Sequence, residues 1–258
     1  MKHILSFSGG KDSTFLLLEL IRRGYPLDEA VFFDTGWEFP AMYEHIEKCK
    51  KLIEEHGIKF VTLRPEKSFD YLMFEKPRKD GRKGWSWCGA FGCRWGTGEK
   101  LRLLDNFEKK NRGNIIYVGI AADEAERLKK ERAEYKRFPL AEWGVTEAEC
   151  LQGCYDAGFS WGGMYEYLDR ISCKFCANKN LKELRNIRKH FPEVWEEFKD
   201  YQRRTYKPFK GEGKSVFDLE KRFAFEDERT VAGLSITNRD FHNRLKQRLC
   251  CARKDEGE

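Results

Sequence analysis

The sequence predicts an α/β protein, a doubly wound and mostly parallel sheet flanked by helices, and three observations carry that prediction. Residues 3–7 (HILSF) are a short apolar run that breaks at Ser8-Gly9-Gly10-Lys11-Asp12-Ser13, and residues 15–21 are apolar again with good helix formers: strand, turn, helix. Residues 29–33 (EAVFF) form a second run that stops at Asp34-Thr35-Gly36, where the carboxyl end of a parallel strand meets a ligand-binding rim. Residues 114–119 (NIIYVG) are continuously apolar, as in a strand covered on both faces.

The remaining elements follow from period and punctuation. Gly24-Tyr25-Pro26 ends the first helix, and residues 41–56 place Met42, Ile46, Cys49, Leu52 and Ile53 on one helical side, which makes Cys49 a core residue. Residues 59–63 read as a third strand, while residues 72–74 fit no element. Residues 85–97 are too rich in aromatics, glycine and cysteine for an ordinary connection, and a loop of that kind is expected to be functional. A helix is expected over 98–110 and a short strand over 137–143. Thr146 with Glu149 makes a capping box for a helix that carries Cys150 and Cys154 on one face. Helices are expected over 181–190, 192–206 and 237–249, with residues 211–235 reading as loop.

Composition narrows the class. Of 258 residues, 40% are hydrophobic and 36% charged, which suits a globular chain with a heavily charged surface. No apolar run approaches the roughly 18 residues that span a bilayer, and the N-terminus lacks the layout of a signal peptide, so a cytoplasmic protein without membrane partners is expected. The net charge of +6 draws on basic stretches such as 76–83 (KPRKDGRK), which suit a polyanion or simply water.

The turn at 8–13 can hold phosphate. Two glycines open a backbone path closed to other residues, and the turn empties onto a helix whose first N–H groups have no internal partner. Lys11 adds a point charge, and Ser8 and Ser13 add hydroxyls. The string SGGKDS resembles the PP-loop of the ATP pyrophosphatases, the adenine nucleotide α-hydrolase superfamily; it fits neither GxxxxGK[ST] nor GxGxxG. Asp34-Thr35-Gly36 with Phe39-Pro40 resembles a segment of the phosphoadenosine-phosphosulfate (PAPS) reductases of that superfamily, although a plain turn before a helix begun at Pro40 explains it equally well. The segment from Gly119 through Asp123, Glu124 and Arg127 is similar to one that approaches the nucleotide in the same family, with Ala121 where an arginine is frequent.

The nine cysteines ask for metal or redox chemistry. Six fall in close pairs, Cys88/Cys93, Cys150/Cys154 and Cys173/Cys176, with Cys250/Cys251 adjacent near the end. A C-x2-C turn such as Cys173/Cys176 presents two thiolates to one ion, and spacing leaves both other pairs open as its complement. The order of cysteines in adenylylsulfate reductases implies Cys88/Cys93 with Cys173/Cys176. A PAPS reductase-like group common in phages and prokaryotes implies Cys154 with the C-x2-C, and the set expected from these resemblances is Cys93, Cys154, Cys173 and Cys176, holding Zn2+ or an iron–sulfur cluster.

The resemblance implies an adenine nucleotide α-hydrolase-like domain at 1–140 and a helical metal-binding lobe with a C-terminal extension at 141–258. It implies a ligand that is ATP, or PAPS or adenylylsulfate, held by residues 8–13, by Asp34, Thr35 and Gly36, and by Gly119, Asp123, Glu124 and Arg127. Lys11, Asp12 and Asp34 are the candidate catalytic residues, working with Mg2+. The expected reaction is ATP cleavage between the α- and β-phosphates with adenylylation of an acceptor, tRNA or DNA among the candidates, and with a sulfur-donor protein as a further partner. PAPS reductases use a cysteine in an E-C-G-[IL]-H segment that this chain lacks, so sulfonucleotide reduction is the alternative, and a non-catalytic nucleotide-binding protein is a third.

Overall fold

The computed structural model describes residues 1–88, 93, 98–110, 113–130 and 133–255, with side chains described through residue 249. Eight residues of the 85–97 loop therefore lie outside the described residues, as do the side chains of Cys250 and Cys251. The chain divides into two units, the first made of Met1–Phe69 and Trp95–Lys174, the second of Asp70–Arg94 and Phe175–Glu258.

The first unit holds the sheet. Strands β1 (His3–Phe7), β2 (Glu29–Phe33), β3 (Lys59–Leu63), β4 (Ile115–Val118) and β5 (Lys136–Arg137) pair in parallel in the order β3-β2-β1-β4-β5. β1 is central, with Phe7 opposite Phe32 of β2 and Ser6 opposite Val118 of β4. The chain builds outward from β1 to one edge and then restarts beside β1 with β4. In such a sheet the crevice at the carboxyl ends of the two strands where the direction reverses is the natural ligand site. Residues 8–13 and 119–124 leave the sheet at that reversal.

Helices α1 (Lys11–Arg22) and α2 (Pro40–Glu55) cover the sheet through Leu16, Leu17 and Leu20 and through Met42, Ile46, Cys49 and Ile53, all buried. Cys49 is fully buried, as its place in the period requires. Helix α3 (Lys100–Lys110) precedes β4, and α4 (Ala125–Leu128) and α5 (Pro139–Glu142) are single turns. β5 is shorter than the expected strand over 137–143, because Pro139 fixes a helical φ at the start of α5.

Helix α6 (Glu147–Asp156) begins with the expected Thr146/Glu149 capping box. It lies directly on α1, and the reason is Gly153: a Cβ there would stand 2.1 Å from Phe15 Cε2. The first unit thus continues through α6, a three-residue 3-10 turn at Trp161–Gly163 and α7 (Met164–Tyr167) to Lys174, so residue 140 lies inside it.

The second unit is helical: α8 (Leu181–His190), α9 (Pro192–Arg203), α10 (Val216–Val231) and α11 (Arg239–Asp255), with residues 70–94 supplying a π-helical turn at Tyr71–Glu75 and a short hairpin. Its aromatic core centres on Trp87, which is stacked on Phe198 at 6.1 Å and edge-on to Phe209 at 4.8 Å. Helix α10 corrects the expectation of loop over 211–235. Ser215 and Asp218 form a capping box at its start, and the buried face combines Val216, Leu219 and Phe223 with Glu226 and Arg229. Charged residues inside that face mask the helical period.

Candidate functional site

The loop 8–13 adopts a conformation that its glycines make available. Gly9 has φ +75°, and a Cβ on it would lie 2.4 Å from Ile46 Cδ1. Gly10 caps α1 with no side-chain hydrogen bond, and Ser13 turns back on the loop instead. Ser13 Oγ donates to the Gly10 carbonyl (3.1 Å), accepts from Ser8 N–H (3.2 Å) and lies 3.0 Å from Ser8 Oγ. At the end of β4, Gly119 lets the first turn of α1 pass close by, since a Cβ there would stand 3.0 Å from Ser13 N.

Lys11 points into a group of carboxylates. Asp12, Glu124 and Glu147 each offer an oxygen, and the three lie within 4.8 Å of one another. Lys11 Nζ is 3.1 and 3.2 Å from the two oxygens of Asp12 and 2.5 Å from Glu147 Oε1. Burial opposes the charge on Lys11, but the bonds to Glu147 and Asp12 outweigh it and hold its pKa above the ordinary value. Burial raises the Asp12 pKa, with Lys11 pulling the other way. The cluster is therefore three acids gathered at the β1/β4 crevice, two of which, Asp12 and Glu147, pair with the Lys11 ammonium.

The other expected residues occupy supporting places. Asp123 Oδ1 accepts from Glu147 N–H (3.0 Å), tying the turn after β4 to the start of α6. Glu124 accepts from Ala121 N–H (3.2 Å) and pairs with Arg127 at 2.6 Å. Asp34 is buried and accepts from Gly36 N–H (2.9 Å), Tyr43 Oη (2.9 Å) and Arg64 Nε (3.0 Å). Thr35 Oγ1 donates to Glu38 at 2.6 Å and accepts from Trp37 N–H. Asp34 thus stands apart from the carboxylate group, its charge satisfied by three donors. Glu147, two helical turns before Cys154, joins the site without having been singled out in the sequence, because it enters over 136 residues of chain.

Of the cysteines, Cys154 and Cys173 belong to the first unit and Cys93 and Cys176 to the second. Cys154 is buried, and its thiol donates to the Lys11 carbonyl at 3.4 Å. Burial pushes the Cys154 and Cys49 thiols up to about 12 and Cys150 higher still. Among the described residues, the ligand group that meets within 4.8 Å is the carboxylate one and contains no thiol. Cys154 thus stands as a thiol against the backbone of the glycine loop.

Beneath the loop, His45 Nε2 lies 3.0 Å from Thr14 Oγ1 and 3.3 Å from Cys49 Sγ, and its ring stacks on Trp161 at 4.5 Å. Burial, helped by Lys48, pushes the His45 pKa down to about 4 from near 6.5. The unfolded chain then binds the proton that the folded chain refuses, so stability present above pH 6.5 drains away as the pH falls toward 4. We expect a loss on the order of 2–3 kcal/mol across that window. His45→Gln, followed by urea unfolding at a series of pH values, should flatten it; an equally steep slope in the variant would remove His45 as the cause.

Residues 2–147 match the family model of the phosphoadenosine phosphosulfate reductase domain, more than half of the chain. The chain belongs to the phosphoadenosine phosphosulfate reductase domain family. It is also 28% identical over 221 residues to an uncharacterized protein of Methanocaldococcus jannaschii, an alignment covering 78% of this chain and 41% of that protein. The chain therefore spans about two fifths of the relative that it matches. Within this phosphoadenosine phosphosulfate reductase domain the matched segment carries the glycine loop, Asp34-Thr35-Gly36 and the turn after β4, and stops at Glu147, the first residue of α6. No helix among the described residues is long and apolar enough to cross a membrane.

Proposed function

We propose that this member of the phosphoadenosine phosphosulfate reductase domain family binds ATP across the carboxyl ends of β2, β1 and β4 and cleaves it between the α- and β-phosphates. An acceptor nucleophile attacks the α-phosphorus, the bond to the bridging oxygen breaks, and pyrophosphate leaves. The observation that supports this reading above others is Lys11 paired with Asp12 and Glu147, which gather with Glu124 at the strand reversal. Hard carboxylate oxygens fit Mg2+, and an ion held by Asp12, Glu124 and Glu147 would neutralise charge on the leaving pyrophosphate. Lys11 and the amino end of α1 supply positive potential to the same phosphates, already oriented before reaction. Asp34, Thr35 and Gly36 border the nucleotide at the end of β2, with Asp34 fixed by its three donors.

Reduction of a sulfonucleotide is the second reading, favoured by the family match itself. It requires a thiolate nucleophile, and burial raises the thiol pKa of Cys49, Cys150 and Cys154, which weighs against that role for these three cysteines. The test is product analysis: pyrophosphate from ATP supports the first reading, and sulfite from PAPS or adenylylsulfate in its place overturns it.

The reading takes nucleic acid as the acceptor class, on grounds of charge. The second unit holds 26 Lys and Arg against 18 Asp and Glu, the first unit 23 against 25. In the second unit Tyr206 is 42% exposed, with Arg82 4.7 Å and Lys207 5.7 Å from its ring. Exposed aromatics among cations suit single strands, whose bases stack while phosphates pair with the charges. Arg82→Glu combined with Lys207→Glu should weaken binding of a single-stranded oligonucleotide by about tenfold or more and lower its salt slope by about 2. Filter binding at several salt concentrations checks this, and an unchanged slope removes the surface from the reading.

A further inference from the structure

The backbone of the glycine loop is gripped by a segment that lies beyond the matched family region, and that grip has a direction. Trp161 Nε1–H donates to the Gly9 carbonyl at 2.7 Å, and Thr14 Oγ1 reaches the same oxygen at 3.4 Å. Tyr165 Oη accepts from Lys11 N–H at 2.9 Å, while the Gly10 carbonyl on the other side of that peptide accepts from Thr14 N–H (3.0 Å) and Ser13 Oγ (3.1 Å). A trans peptide is planar, with its C=O and N–H directed to opposite sides. Fixing the Gly9 oxygen against Trp161 therefore aims the Gly10 N–H away from Trp161, to the side of Ser8. There it meets Ser8 Oγ at 3.4 Å, a long and weak bond that a stronger acceptor can replace.

Trp161 is held in a conformation that costs it something. Its φ is +51°, in the left-handed region, and Gly162 and Gly163 follow with φ +60° and +78°. A bulky aromatic keeps such a conformation only where its surroundings impose it, and such residues gather at functional sites. Here the surroundings are the stack on His45 at 4.5 Å, the edge contact with Tyr165 at 4.9 Å and the bond to Gly9. Packing alone would accept any large apolar side chain; the indole N–H on the Gly9 oxygen is what requires tryptophan.

We propose that Trp161 and Tyr165 are positioning residues that lock two successive peptides of the glycine loop, so that the Gly10 N–H is presented, preoriented, to a phosphate oxygen of a bound pyrophosphate group. This rests on the nucleotide reading above for its ligand, though not for the lock itself. Both residues act through the backbone and touch no reacting atom. Their absence from the matched region makes the lock a property of this chain's continuation through α6 and α7.

The test uses the full chain with Trp161→Phe, which keeps a ring and loses the N–H, and Tyr165→Phe, which loses only the oxygen. Inorganic pyrophosphate and ATP are titrated by calorimetry, and amide hydrogen exchange is followed in the ligand-free proteins. Trp161→Phe should bind pyrophosphate about tenfold more weakly, with exchange at Gly10 and Lys11 at least about tenfold faster while Leu17 and Phe32 keep their wild-type rates. Tyr165→Phe should speed exchange at Lys11 and weaken pyrophosphate severalfold. Wild-type affinity with unchanged exchange at Gly10 and Lys11 in both variants overturns the proposal, and so does faster exchange spread evenly through the sheet, the mark of lost packing. If the wild type binds neither pyrophosphate nor ATP, the nucleotide reading fails by itself, and exchange at Gly10 and Lys11 still decides the lock. Should Trp161→Phe not fold, Tyr165→Phe decides.

Discussion

Lys11→Ala is expected to lower pyrophosphate release from ATP by about a hundred- to a thousandfold in kcat/KM, which is about 3–4 kcal/mol of lost transition-state stabilisation. Two effects combine. On the proposed reading the ammonium that faces the developing charge is gone, and Asp12 and Glu147, which with Glu124 lie within 4.8 Å of one another, lose the cation paired with both. Like charges so placed drive one another's protonation and repel the phosphates of the nucleotide. Lys11→Arg should restore little, because a planar fork does not replace a compact point charge between carboxylates spaced as these are. Steady-state kinetics with pyrophosphate detection measures the loss, and circular dichroism checks the fold. Activity within tenfold of wild type would take Lys11 out of the reaction.

Gly84→Ala is expected to cost the second unit about 4 kcal/mol. Gly84 has φ +64°, and a Cβ on it would lie 2.0 Å from the Met73 carbonyl oxygen and 2.5 Å from its carbon. The obstacle is backbone, so no rotamer change relieves it. The same stretch is laced by Gly84 N–H to Lys76 O (2.8 Å), Trp85 N–H to Leu72 O (3.0 Å) and Ser86 N–H to Met73 O (3.0 Å). Opening it withdraws support from Trp87, which is 1% exposed in the aromatic core. Gly81→Ala is the control. Gly81 shares the positive φ, at +79°, but nothing lies within 4 Å of its Cβ position, so it should cost only about 1 kcal/mol. Urea unfolding monitored by tryptophan fluorescence separates the two, and equal midpoints for both variants would refute the steric account.

What could be read from the sequence was local. The run from His3 to Arg22 announces strand, turn and helix because its apolar period changes at two glycines, and the Thr146/Glu149 capping box is written in four residues. The sheet and its parallel pairing follow from such local marks. Helix α10 escaped because Glu226 and Arg229 sit in its buried face. There Arg222 pairs with Glu226 at 2.8 Å and Asp240 with Arg229 at 2.9 Å, so ion pairs replace the apolar residues that a period search counts. The site was legible in Lys11, Asp12 and Glu124 and not in their grouping with Glu147. Asp12 was singled out, but Glu147 meets Lys11 from 136 residues away and Trp161 meets Gly9 from 152, and no spacing rule spans such distances.

The split make-up of the second unit has a consequence for synthesis. Residues 70–94 emerge from the ribosome about eighty residues ahead of Phe175, where the rest of their unit begins. At 5–20 residues per second that delay is on the order of ten seconds. During it the sheet unit can assemble around its local βα pairs, while Trp87 waits without Phe198 and Phe209, its eventual neighbours. The cations of residues 76–83 stand immediately before that orphaned tryptophan. Charge next to a temporarily exposed apolar stretch keeps nascent chains from adhering to one another. Such cations beside Trp87 would serve that end only until Phe198 and Phe209 arrive to cover it.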